Sequence, residues 1–157
     1  MQRLLRSLGL LNVSTISKYV ALAVYISAAV LRIKPNNSRA HRTASKALAL
    51  LYGPAWTVAI CGLAINNVFY SAMEKRDGTT PVGRLVGDVF AHIVPVALAT
   101  LYAPATFPMS KMAYTAIVLA LLVLLGPWLC DVYIGVPHWL IWAAAPAVLL
   151  GATYARY

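Results

Sequence analysis

Acidic residues are nearly missing from this chain. Of its 157 residues, thirteen are Lys or Arg and only four are Asp or Glu, and those four (Glu74, Asp77, Asp88, Asp131) all lie beyond residue 70. Charge of either sign is scarce, at 11% of residues, while 61% are hydrophobic; ordinary soluble domains carry about 25% and roughly 45–50%. That balance excludes a water-soluble globular protein. A short chain buries only about 60 to 70% of the surface its unfolded form exposes, so the remaining apolar surface must face lipid. Cysteine is limited to Cys61 and Cys130, both inside apolar stretches with no CxxC or Cys/His cluster around them, which excludes a disulfide framework and a zinc site. Walker, GxSxG and HExxH strings are absent, so no catalytic residue, metal or cofactor is assigned. The basic excess does not indicate nucleic acid either. That reading needs a polar, Lys/Arg-studded face with accessible stacking aromatics, and here the aromatics sit inside apolar runs.

What is present begins with MQRLLRSLGLLNVSTISK, rich in Leu, Ser and basic residues and free of acids, the composition of a mitochondrial targeting segment. At 100° per residue Leu4, Leu5, Leu8 and Leu11 cluster on one side and Arg3 and Arg6 on the other, as in a helix lying on an anionic membrane surface. The alternative is an ordinary basic flank that orients the first hydrophobic segment. Tyr19 to Leu31 offers 13 uncharged residues, fewer than the roughly 17 to 25 of a span, so residues 1–34 read as an amphipathic, interfacial region. RIKPNNSRAHRTASK (32 to 46) joins a Pro-Asn-Asn turn signal to Arg32, Lys34, Arg39, Arg42, Lys46 and His41; residues 35–46 read as a basic surface loop.

The rest, 47–157, reads as a helical bundle. Ala47 to Met73 supplies 27 uncharged residues with Gly53-Pro54 near its start, and the mixed-charge turn EKRDGTTPVGR follows. Leu85 to Tyr102, Met112 to Cys130 and a short Trp139 to Ala155 complete the set, interrupted by Pro95, Pro104, Pro108 and Pro146. The expected fold class is an all-α membrane protein in one domain, with an N-terminal interfacial helix and about four transmembrane helices. Residues 1 to 46, Lys111 and Arg156 would share one side with ten basic residues, against three on the other, placing both termini on the matrix or cytosolic side.

Few polar groups interrupt the spans. Asp88 and His92 stand four apart, so on a helix they share a face, as a proton relay requires; the plainer alternative is that Asp88 caps its helix or pairs with Arg84 at the interface. Asp131 and His138, with Trp128, Tyr133, Trp139 and Trp142 around them, look like an interfacial aromatic belt. Gly62 with Asn66, and Gly83 with Gly87, form small-residue rows for helix packing. Arg32, Lys34, Arg39, Arg42 and Lys46 are candidate contacts for anionic phospholipid head groups such as cardiolipin, at roughly 1 kcal/mol per basic residue.

The stretches NNVFYSAMEKRDG (66 to 78) and GDVFAHIVPVALATLYAPATF (87 to 107) resemble the mitochondrial fission process protein family of small inner-membrane proteins. In that family a helix ends in a mixed-charge turn, and the next opens on an Asp-x-Phe step followed by small residues and a proline. Asp88, Phe90, Ala99, Thr100 and Pro104 are the positions that match, with an insertion of a few residues between Phe90 and Pro104. The resemblance covers about a third of the chain, and the C-terminal half departs from it in being shorter and more hydrophobic. It implies an inner-mitochondrial-membrane location and a role in membrane organisation, without catalytic residues. Smallness and scarce intramembrane charge lead to the main expectation, a structural subunit of a respiratory-chain or ATP-synthase assembly, with other membrane subunits and anionic phospholipids as partners. A stand-alone membrane-shaping factor and a small proton-coupled transporter are the alternatives.

Overall fold

The computed structural model describes residues 13–68, 81–132 and 136–157. Helices α1 (Val13–Ile33) and α2 (Arg39–Val68) are followed by a rod built of α3 (Pro81–Asp88), a π turn (Val89–Ile93) and α4 (Val94–Tyr102). Then come α5 (Lys111–Val132) and a last rod in which a second π turn (Leu140–Ala144) leads into α6 (Ala145–Arg156). No strand occurs among the described residues. Four helices are long and apolar enough to cross a membrane, namely Ile16–Ile33, Arg39–Ala64, Leu85–Tyr102 and Lys111–Cys130; Leu140–Arg156 is apolar but shorter. The protein is an all-α membrane protein.

The expected number of crossing helices stands, but its members shift. Tyr19 to Leu31 is only the uncharged part of α1. The helix runs on through Lys18 to Val13, and 21 residues at 1.5 Å each span about 31 Å, the thickness of a hydrocarbon core. Lys18 is exposed near one end, where its stem can carry the ammonium out to the interface. Residues 13 and 33 therefore sit at opposite ends of the bundle, which corrects the expectation that everything up to residue 46 shares one side. The supposed basic loop is also shorter than expected. Ser38 accepts a hydrogen bond from the His41 N–H on its Oγ at 3.1 Å, an N-cap that starts α2 at Arg39. Ser110 does the same for α5 through the Ala113 N–H at 3.2 Å. The leucine-rich residues 1–12 and the turn at 69–80 lie outside the described residues.

The centre of the bundle follows from a stripe of small residues. On α1 the buried positions Ser17, Ala21, Val24 and Ala28 recur every three or four residues, and on α2 Ala44, Leu48, Tyr52, Ala55 and Ala59 do the same, the pattern of one helical face. Alanine at most of these positions lets the two backbones approach closely, which in lipid is the main source of helix association. Ala99 and Ala103 close the same cluster from α4. Helix α2 is the hub, packed on α1, α4 and α6, whereas α5 is held chiefly by the last rod.

Both π turns have the same cause. A proline lacks an N–H and its ring collides with the carbonyl four residues back, and Pro95 and Pro146 stand just beyond the two turns. The helix widens ahead of each: the Val94 N–H bonds to the Val89 carbonyl and the Ala145 N–H to that of Leu140, i to i−5 in place of i−4. Pro54 and Pro127 instead lie inside uninterrupted α-helix, each after a glycine. The Thr57 hydroxyl donates to the Gly53 carbonyl at 2.9 Å, a side-chain bond back onto the turn that carries Pro54.

Candidate functional site

Polar chemistry concentrates at two places, one end of the bundle and one point inside it. The end is where α1, α4 and α6 finish and α2 and α5 begin. Arg32 donates through Nη1 to the Tyr102 hydroxyl at 3.0 Å. Arg156 donates through Nη2 to the Ala103 carbonyl at 3.1 Å and lies over the Tyr52 ring at 5.6 Å. Lys111 stands 5.3 Å from the Tyr154 ring centre, and Tyr154 hydrogen-bonds to the Lys111 carbonyl at 2.9 Å and to the Thr115 hydroxyl. Arg42 donates through Nη1 to the Asn37 carbonyl at 3.0 Å. With Lys34, Arg39 and Lys46, these contacts gather seven of the thirteen Lys and Arg at one end, and the stretches that build it, 32–46, 102–111 and 152–157, contain no acid.

An open groove of about 220 Å³ runs across this end, lined by His41, Arg42, Ser45 and Lys46 from α2 and by Pro104, Thr106 and Pro108 from the 103–110 connection. Of the expected head-group residues, Arg42 and Lys46 line it. Arg32 is turned to Tyr102, and Lys34 and Arg39 are exposed outside it. His41, Ser45 and Thr106 join the site from positions that sequence reading did not single out, because the groove exists only once the 104–108 segment folds over the first turns of α2.

The interior point is the Asp88/His92 pair. His92 Nε2 stands 3.7 Å from Asp88 Oδ1, with the two side chains 7% and 17% exposed. Asp88 does not start a helix, since α3 begins at Pro81 and the chain stays helical through Asp88 into the π turn. The alternative of a helix cap is thereby corrected; the Arg84 side chain lies outside the described part. Ten residues separate His92 from Tyr102, so at 1.5 Å each the ring is about 15 Å below the basic end, near the middle of a hydrocarbon layer about 30 Å thick. The imidazole lies directly on Gly62 of α2: a Cβ there would come within 2.6 Å of its Cε1. Its Nδ1 is buried with no hydrogen-bond partner among the described residues. Beside it, the Tyr25 hydroxyl donates to the Phe90 carbonyl at 2.6 Å, tying α1 to the π turn. At 3.7 Å the Asp88/His92 pair is an electrostatic contact and not a hydrogen bond, and it sets a carboxylate beside an imidazole within a helix long and apolar enough to cross a membrane.

The other packing candidates separate. Gly62 is a close-approach position. Gly87 is not, because a Cβ there meets nothing within 4 Å; it faces outward on α3. The Asn66 side chain and Asp131 lie outside the described part. Two glycines that sequence reading did not assign to packing have the same role as Gly62. Gly53 faces Thr153 and the Leu149 carbonyl of α6, and Gly126 faces the Trp142 ring, with a Cβ–Cζ2 separation of 2.7 Å. Trp142 also donates through Nε1 to Cys130 Sγ at 3.2 Å, so it is a packing residue as well as a ring of the expected aromatic belt, whereas Trp139 is 62% exposed. The sequence signal at these two glycines was the Gly-Pro step in mid-run, Gly53-Pro54 and Gly126-Pro127.

Among the described residues no three His, Cys, Asp or Glu side chains come together as a metal site. No family model, curated protein or solved structure matches the chain.

Proposed function

We propose that the protein is a small structural subunit of a mitochondrial inner-membrane assembly, of the respiratory chain or the ATP synthase, where it stabilises the assembly and its lipid contacts. The observation that carries this reading is how little of its membrane surface the chain covers by itself. In Leu85–Tyr102 and in Lys111–Cys130 only 17% of the span is buried within the fold. On α5 Met112, Val123 and Leu124 stand 82%, 69% and 74% exposed, and this helix is apolar all round, the mark of a segment surrounded by other apolar matter. The acid-free, Leu- and Arg-rich first residues and the resemblance to small inner-membrane proteins support the compartment. Depleting the protein is expected to shift or weaken one assembly on blue-native electrophoresis while the redox centres of that assembly keep their spectra. An unchanged assembly pattern sinks the proposal.

The Asp88/His92 pair, its histidine buried and its carboxylate half-buried, favours a second reading, a proton-coupled pathway. Under it, Asp88→Asn lowers proton flux into liposomes carrying the protein at least about tenfold, since the carboxylate standing 3.7 Å from His92 is lost. Flux equal to that of the parent protein removes this reading and leaves the first.

A further inference from the structure

The geometry points to a single phosphate-binding site in the groove between the start of α2 and the 103–110 connection, formed by Arg42, Lys46 and His41 with the Ser45 and Thr106 hydroxyls. The inference deepens the lipid-contact part of the proposed function but does not depend on any partner subunit.

Four observations converge on an anion. First, the groove wall carries two permanent cations, a histidine and two hydroxyl groups, and no carboxylate. Second, the surrounding end adds five further Lys and Arg and, among the described residues, still no acid, so the field of its described part has one sign. Third, Arg39 and Lys111 occupy the first positions of α2 and α5, where a cation opposes the helix dipole instead of complementing it as Arg32 and Arg156 do at the ends of α1 and α6. A bound anion relieves that opposition. Fourth, the three other cations with side-chain contacts at this end, Arg32, Lys111 and Arg156, are engaged by Tyr102, Tyr154, Tyr52 and the Ala103 carbonyl. Lys46 forms no hydrogen bond or ion pair with a described residue, and Arg42 spends one nitrogen, Nη1, on Asn37. The groove cations thus have donors left to give.

Size and depth narrow the ligand. At about 220 Å³ the groove falls below the roughly 300 Å³ at which drug-sized molecules begin to fit, which suits one phosphate and a short polar fragment. Lys46 is the last charged residue before the apolar run from Ala47, and Pro104 follows α4 by two residues, so the groove lies at the level where a bilayer carries its phosphates. The shared chemistry is a phosphate mono- or diester, and two sources supply it: an anionic phospholipid head group or a soluble phosphate. The prolines at 104 and 108 fix the opposite wall without offering an N–H of their own. Recognition therefore falls to the side chains of α2 and Thr106.

The test uses the full chain in lipid-free detergent, titrated in one arm with short-chain phosphatidylglycerol and in the other with inorganic phosphate. One saturable site per chain is expected in at least one arm, the arm identifying the source. The variant Arg42→Gln/Lys46→Gln is expected to weaken that site about thirtyfold, two basic residues' ordinary contribution. Lys34→Gln/Arg39→Gln, with the same change of charge at the same end, is expected to leave the saturable site within about threefold and to lower only the salt-sensitive background. Equal losses in the two variants, or no saturable site in either arm, overturn the inference. An unchanged assembly after depletion of the protein, with the saturable site intact, instead removes the subunit reading and leaves the groove.

Discussion

A Gly53→Leu variant is expected to lose about 3 kcal/mol or more of stability, the largest effect of any single substitution considered for this bundle. At Gly53 the α2 backbone meets α6 so closely that a Cβ would lie 2.6 Å from the Leu149 carbonyl oxygen and collide with the Thr153 side chain as well. Overpacking usually costs about 1–3 kcal/mol where neighbouring side chains can yield. Here one neighbour is backbone, and it cannot turn away without moving α6. Thr153 is itself fully buried and already donates to that same carbonyl at 2.8 Å, so the variant disrupts a satisfied contact too. Helix propensity works the other way by about 1 kcal/mol, since leucine suits a helix interior better than glycine, and it does not rescue the variant. Gly87→Leu and Gly151→Leu gain the same propensity and meet open space, so they are expected to be neutral or slightly stabilising. Reversible unfolding in mixed micelles, followed by tryptophan fluorescence, checks all three. Equal loss in the three variants would show that glycine matters through the backbone alone.

The second large effect is expected at Leu48→Ala. Leu48 is fully buried between α1, α2 and α4, with Val24, Tyr52, Ala55, Ala99 and Ala103 around it. In a soluble protein such a truncation costs about 2–5 kcal/mol, from lost transfer energy plus the cavity left behind. Inside a membrane the transfer part largely vanishes, because lipid tails are as apolar as the side chain. What remains is the cavity and its forfeited dispersion contacts, so a loss of about 2 kcal/mol is expected in the same unfolding assay. Leu124→Ala, at a residue 74% exposed on α5, is the comparison and is expected to change stability by less than about 0.5 kcal/mol. A Leu124 effect as large as that of Leu48 would mean that α5 is covered by a second copy of the chain in the assay.

How far the sequence foretold this molecule depends on which physical quantity each feature obeys. The crossing helices are set mainly by the length of apolar runs, and those of α2 and α5 were readable because charge is so scarce. Helix α1 was undersized for a specific reason: the count stopped at Lys18, whereas the helix does not. The Asp88/His92 spacing placed both residues on one face, yet it gave no hint that a π turn would lie between Asp88 and Val94, since periodicity arguments assume 3.6 residues per turn throughout. Small-residue rows were read at Gly62 with Asn66 and at Gly83 with Gly87. Gly62 does meet another helix, but Gly53 and Gly126 meet one just as closely, because proximity to another helix is decided by tertiary contact and not by local pattern. The groove was half visible. Arg42 and Lys46 stood out as basic, but Thr106 and the two prolines that complete the wall are some sixty residues away in the chain, and only the fold brings them together.

The one-signed end of the bundle also makes the protein responsive to voltage. Each unit charge carried across a membrane is worth about 2.3 kcal/mol per 100 mV. The other six cations and the four acids sum to only +2 against the seven at this end, so an energised membrane distinguishes the two orientations of this chain by an amount on the order of 10 kcal/mol per 100 mV. Insertion with the groove on the negative side is downhill, and the reverse is prohibited for as long as the potential lasts. An uncoupler added during insertion into energised vesicles thus removes the field that selects the orientation, and a population of mixed orientation is the outcome to look for by protease protection of the residues near Arg156.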